Sequence, residues 1–197
     1  MQEIKLTMQE LQKISQDFRM VANRLLRTRW TDGKSNLKRF INHIDANSII
    51  NEFIQEHNHY EFSIESIMNN CPYLYNPIPD RSDSEEISFL YQLLKYGLQN
   101  YDHYSGYLDF ASNFCGSSSK AQTTIDKFNS TVVLPLYNYI ENHLSKLYID
   151  IKNSEDNKII IQIQGNIYGS SLGTNLNEIN INKQYLSQKK RMKRGLM

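Results

Sequence analysis

Ile125, Phe128, Val132, Leu136, Tyr139, His143, Leu147 and Ile151 recur at steps of three and four, and no other feature of the chain restricts its fold so tightly. That spacing places eight side chains on one face of an α-helix roughly 40 Å long at 1.5 Å per residue. An apolar stripe of that length has to be buried against other elements, so the chain reads as a helical assembly built on this rod. Pro135 lies inside the stripe. Its missing N–H removes one ladder bond, which predicts a bend rather than an end. Ser119-Lys120-Ala121-Gln122 fits an S-x-x-Q capping box at the start.

Shorter stripes supply the partners. Leu11, Ile14, Phe18, Val21 and Leu25 predict a helix from about Thr7 to Arg29, stopped at Thr31-Asp32-Gly33 by a left-handed Gly33. Leu37, Phe40, Ile41 and Ile44 begin a second helix, and Ile49, Ile50, Phe53 and Ile54 a third, separated by the capping residues Asp45 to Ser48. Pro72, Pro77 and Pro79 mark Asn69 to Ser84 as a loop. Ser84-Glu85-Glu86-Ile87 opens a further helix with Ile87, Leu90, Tyr91, Leu94 and Leu98 inward, and the aromatic stretch from Tyr101 to Phe114 forms another. The expected fold is mainly α, a helical bundle of about five or six helices over residues 1–153. A small β-hairpin appendage over 154–183 and a basic flexible tail over 184–197 complete it.

The appendage follows from a change of period. Ile159, Ile161, Ile163 and Ile167 alternate with other residues, and Gly165, Gly169 and Gly173 punctuate the run. A lone hairpin is marginal in water, so its edges are expected to pair with the bundle or with a second copy. The passage from Ile159 to Thr174, with Gly165-Asn166 and Tyr168-Gly169-Ser170 at its centre, resembles the I-x-I-x-G-x-x-Y-G-S tails that follow helical regions in uncharacterised bacterial proteins associated with phage defence or mobile elements, abortive-infection-type proteins among them. The resemblance implies self-association or an adaptor role in antiviral defence and supplies no catalytic residue. Within this strand segment Ile159, Ile161, Ile163, Tyr168 and Leu172 are the candidate contact residues.

Formal net charge is +1 over 197 residues, so nothing global points to a nucleic-acid coat or an acidic tail. No apolar run reaches the roughly 18–20 residues that span a bilayer, so no membrane partner is expected. Met1 to Leu6 lacks the basic and apolar blocks of a secretory signal, and a cytoplasmic location follows as an expectation. Cys71 and Cys115 then read as reduced thiols, with a single disulfide as the alternative.

Charge is distributed unevenly all the same. Arg19, Arg24, Arg27, Arg29, Lys34, Lys38 and Arg39 are opposed within their stretch only by Asp32, and Trp30 stands among them for stacking. Arg24, Arg27, Arg29, Lys38 and Arg39 are the candidate phosphate-binding residues; the competing explanation is a solvated helix face. Glu56-His57-Asn58-His59 holds one Glu-x-x-His pair where bundle di-metal sites need two, so no metal or other cofactor is expected. His43 and His143 are candidate bases for a ribonuclease-like toxin, although neither stands in an Arg-x(4–6)-His frame. Gly116-Ser117-Ser118-Ser119-Lys120 precedes a helix without phosphate-loop spacing, and Cys115 with His103 forms a nucleophile–base pair only by proximity in sequence. No arrangement reaches an enzyme signature. The leading expectation is a non-enzymatic interaction protein that self-associates or docks a partner, with nucleic-acid binding through the basic stretch as the alternative.

Overall fold

The computed structural model describes residues 3–70, 82–154 and 158–162. It is a helical bundle with a small two-stranded antiparallel sheet, and among the described residues no helix is long and apolar enough to cross a membrane. In chain order come β1 (Glu3–Thr7), α1 (Met8–Leu26), α2 (Gly33–Ala46), α3 (Ser48–His57), α4 (Ile64–Asn70) and α5 (Asp83–Asn100). Then follow α6 (Gly106–Cys115), α7 (Ala121–Phe128), a π-helical turn (Asn129–Val133), α8 (Leu134–Asn153) and β2 (Lys158–Gln162).

The long rod is continuous from Ala121 to Asn153, and its irregularity precedes Pro135. Leu134 N–H reaches back to the Asn129 carbonyl, an i→i−5 bond that widens the helix just where proline can give no ladder bond. The extra residue also rotates the buried face. After Leu136 the buried positions are Ile140, Leu144 and Ile151; the first two lie one place on from Tyr139 and His143, which move to the flank as half-buried residues, and Ile151 returns to the expected stripe. The π turn buries Asn129, whose Oδ1 accepts from Tyr107 Oη at 2.5 Å and whose Nδ2 donates to the carbonyls of Leu25 and Leu26 at 3.0 and 3.3 Å. Asn129-Ser130-Thr131 matches a glycosylation sequon, but its asparagine is turned into the interior.

The core is where α1, α2 and α8 meet, with Phe18 packed on Phe40 and Tyr137 at ring separations of 5.8 and 5.7 Å. A second aromatic group forms where Phe128 of α7 receives Tyr107, Phe110 and Phe114 of α6. Gly33 begins α2 rather than stopping α1, and it is glycine for steric reasons. A Cβ there would collide with the ring of Tyr107. The first helix already ends at Leu26. Two caps also differ from expectation: α5 starts at Ser82, boxed with Glu85, and the N-cap of α7 is Lys120 with no side-chain bond. Gln122 donates instead to the Thr28 carbonyl across the bundle.

β2 is the Ile-rich strand anticipated from the alternation, and its partner is the N-terminal β1, which the periodicity did not reveal. The two pair antiparallel with Leu6 opposite Ile159 and Lys5 opposite Ile160. Leu6, Ile159 and Ile161 are buried while Ile160 faces solvent, the period-2 pattern of a half-covered strand. Thr7 ends β1 and caps α1 directly: its Oγ1 accepts from Glu10 N–H and its own N–H donates to the Glu10 carboxylate. Of the residues after Gln162, the expected second strand, the contact residues Ile163, Tyr168 and Leu172, and the basic tail lie outside the described residues.

Candidate functional site

The site is the corner between α1 and α2. A helix leaves its last four carbonyls without internal partners; here Arg27 N–H takes that of Asn23, and side chains from elsewhere in the bundle meet the other three. Asn129 covers Leu25 and Leu26, and Asn36 Nδ2 donates to the Arg24 carbonyl at 3.4 Å and to Thr28 Oγ1 at 2.9 Å. Gln122 takes the Thr28 carbonyl at 3.0 Å. Asp32 N–H closes the turn onto the Arg29 carbonyl at 3.0 Å. The backbone from Arg24 to Asp32 is thereby held, and the guanidinium groups need not cap it.

Arg24, Arg27 and Arg29 are all exposed and line one shallow depression of about 450 Å³, together with Asn36 and, as its single carboxylate, Asp32. The other cations of the stretch behave differently. Arg19 is bound to Glu141 of α8 at 2.7 Å, and Lys34 pairs with Asp102 from the loop between α5 and α6. The Lys34 ammonium holds the Asp102 carboxyl below its usual range, and Lys38 adds to the effect from nearby. Arg39 is exposed and donates to Oδ1 of Asn36, itself a lining residue, at 3.2 Å. Among the described residues no ion pair engages Arg24, Arg27, Arg29, Lys38 or Arg39. A helix C-terminus favours nearby cations by a few tenths of a kcal/mol to about 1 kcal/mol, which accounts for an arginine or two but not for three converging on one hollow.

Directly after Arg29 in the chain comes the first of two exposed aromatic residues that touch each other. Trp30 is 37 % and Tyr104 73 % exposed, and their rings meet edge to face at 5.5 Å and 86°. Trp30 was visible in the sequence; Tyr104, Asp102 and the capping amides were not, since each comes from a distant segment with no local pattern.

The remaining candidates go elsewhere. His143 lies in the seam between α3 and α8 with its ring stacked 4.5 Å from Phe53, and burial there pushes its pKa down to about 4. His43 lies against Phe18 with its Nε2 unbonded, also lowered by burial, while Arg39 one turn away turns to Asn36. His57 Nδ1 sits 2.8 Å from Ser84 Oγ, and no group of three or more potential metal ligands exists among the described residues. Cys115 is buried with its thiol pushed up to about 11, and His103 bonds Asp109 at 2.7 Å instead, so they do not form a nucleophile and base. Gly116 takes a φ of 79°, and Ser118 N–H donates to Thr124 Oγ1, which makes the serine-rich stretch a capped loop. Ile159 and Ile161 are buried in this chain's own core. No known protein family, curated protein or solved structure matches the chain.

Proposed function

We propose that the protein binds nucleic acid through the α1–α2 corner. The observation that carries the reading is the contrast within one stretch of sequence. Arg19 and Lys34 have carboxylate partners, whereas among the described residues Arg24, Arg27 and Arg29 share a hollow with no carboxylate but Asp32. Guanidinium donors fixed on a braced backbone suit phosphate oxygens, and the affinity they provide comes from released counterions. With a net charge of +1 the attraction is local to this corner. The double variant Arg24→Ala/Arg27→Ala, titrated with a labelled oligonucleotide, is expected to bind at least roughly tenfold more weakly at low salt. Its slope of log K against log salt is expected to fall by about 2. Both side chains are exposed, so its melting curve stays close to that of the parent. Unchanged binding and an unchanged slope would sink the reading.

A second reading, self-association by edge pairing, has an observation of its own. Among the described residues the sheet has two strands, so each has an outer edge without a described partner, and Ile160 is 46 % exposed beside it. This agrees with the adaptor role implied by the resemblance of the Ile159–Thr174 passage. Truncation after Asn153 is not a clean test, because it removes the core residues Ile159 and Ile161. Ile160→Lys is better. Sedimentation is expected to find a dimer in the parent and a monomer in the variant at micromolar concentration, and a monomeric parent ends this reading.

A further inference from the structure

We infer that Trp30 and Tyr104 form a base-stacking platform at the rim of the arginine hollow, so that the corner selects single-stranded over double-stranded nucleic acid. The inference rests on the nucleic-acid reading above and adds to it which form is bound. Single exposed aromatic residues are ordinary, but here two are in edge-to-face contact, and one of them, Trp30, directly follows Arg29 in the turn whose residues line the hollow, where the guanidinium groups have no ion pair among the described residues. Tyr104 keeps most of its ring in solvent, and the edge-to-face arrangement leaves a ring face open to a flat partner. The platform is braced, since the ion pair between Lys34 and Asp102 ties the start of α2 to the loop that carries Tyr104.

Chemistry decides the form of the ligand. A sugar–phosphate backbone lying on Arg24, Arg27 and Arg29 brings its bases beside Trp30, which follows Arg29 directly. In a single strand those bases have free faces, and stacking on aromatic side chains is tolerant of sequence. In a duplex the faces are covered, and reaching them requires unstacking a base step. A sulfated or acidic polymer offers the charge without the faces.

Trp30 is the sole tryptophan, so it reports on the platform directly. Titration of the full chain with a short oligothymidylate is expected to quench Trp30 fluorescence, while heparin binds without quenching and a duplex of equal length binds more weakly. Tyr104→Ala retains the reporter and is expected to weaken oligothymidylate binding roughly tenfold while leaving heparin affinity unchanged. Equal affinity for single strand and duplex, with no effect of Tyr104→Ala on either, overturns the platform and leaves the phosphate site standing. Binding of heparin without any binding of oligothymidylate, or affinity indifferent to Arg24→Ala/Arg27→Ala, overturns the nucleic-acid reading itself.

Discussion

Asn129→Ala is expected to lower folding stability by about 3 kcal/mol, read as a shift in the denaturant midpoint at unchanged slope. The side chain is buried and ties three elements together: the hydroxyl of Tyr107 on α6, the final carbonyls of α1, and the π turn that carries it. Alanine breaks all three bonds and leaves the Tyr107 hydroxyl in an apolar surround, a loss larger than the roughly 1 kcal/mol of an ordinary hydrogen bond. The ring of Tyr107 also fills the space over Gly33, so the joint underlies both sides of the arginine corner. Tyr107→Phe removes only the hydroxyl, and its effect should be smaller. Combined with Asn129→Ala it should cost clearly less than the sum, because the two share one bond. Additive effects, or an Asn129→Ala protein within about 0.5 kcal/mol of the parent, would show that the joint is not stabilising.

Which parts of this were legible in the sequence follows from the range of each interaction. The stripes of α1, α2, α3 and α8 are local patterns, and each yields a helix where it occurs. β1 is five residues whose partner lies at the other end of the described chain, and five residues carry too little alternation to declare a strand alone. In the sequence Gly33 reads as a helix stop because conformational freedom is the local reason for glycine; the actual reason is the ring of Tyr107, which no local pattern announces. The site divides in the same way. The concentration of cations between Arg19 and Arg39 is plain in the sequence. Which of them remain unpaired is decided by Glu141 and Asp102, and the bracing of the corner by Gln122 and Asn129, all supplied by folding.

Stability is expected to respond to acid through two groups that act in opposite senses. His143, stacked on Phe53 and facing His57 and Lys146, binds a proton near 4 in the folded protein against 6.5 for an ordinary imidazole; burial is the main cause, and the two cationic neighbours add to it. Between those values the unfolded chain holds the extra proton, so stability falls as pH falls through that window and is constant above it. At about 1.4 kcal/mol per pH unit the loss reaches roughly 2–3 kcal/mol by pH 4.5. His43 and His57, also lowered by burial, add to the same limb. Glu52 works against it. Burial first and the neighbouring Glu56 second raise its pKa from 4.5 to about 7, so in that window the folded chain holds the extra proton and stability rises as pH falls. Each protein's stability is best referred to its own value near pH 8, which cancels packing differences between side chains. On that scale Glu52→Gln should lose the most by about pH 4.5, the parent less, and His143→Phe the least. Phenylalanine keeps a ring on Phe53 while removing the titrating nitrogen, so its effect on the profile is one of charge. Coincident profiles for the three proteins would mean that neither His143 nor Glu52 is held away from water as its burial requires.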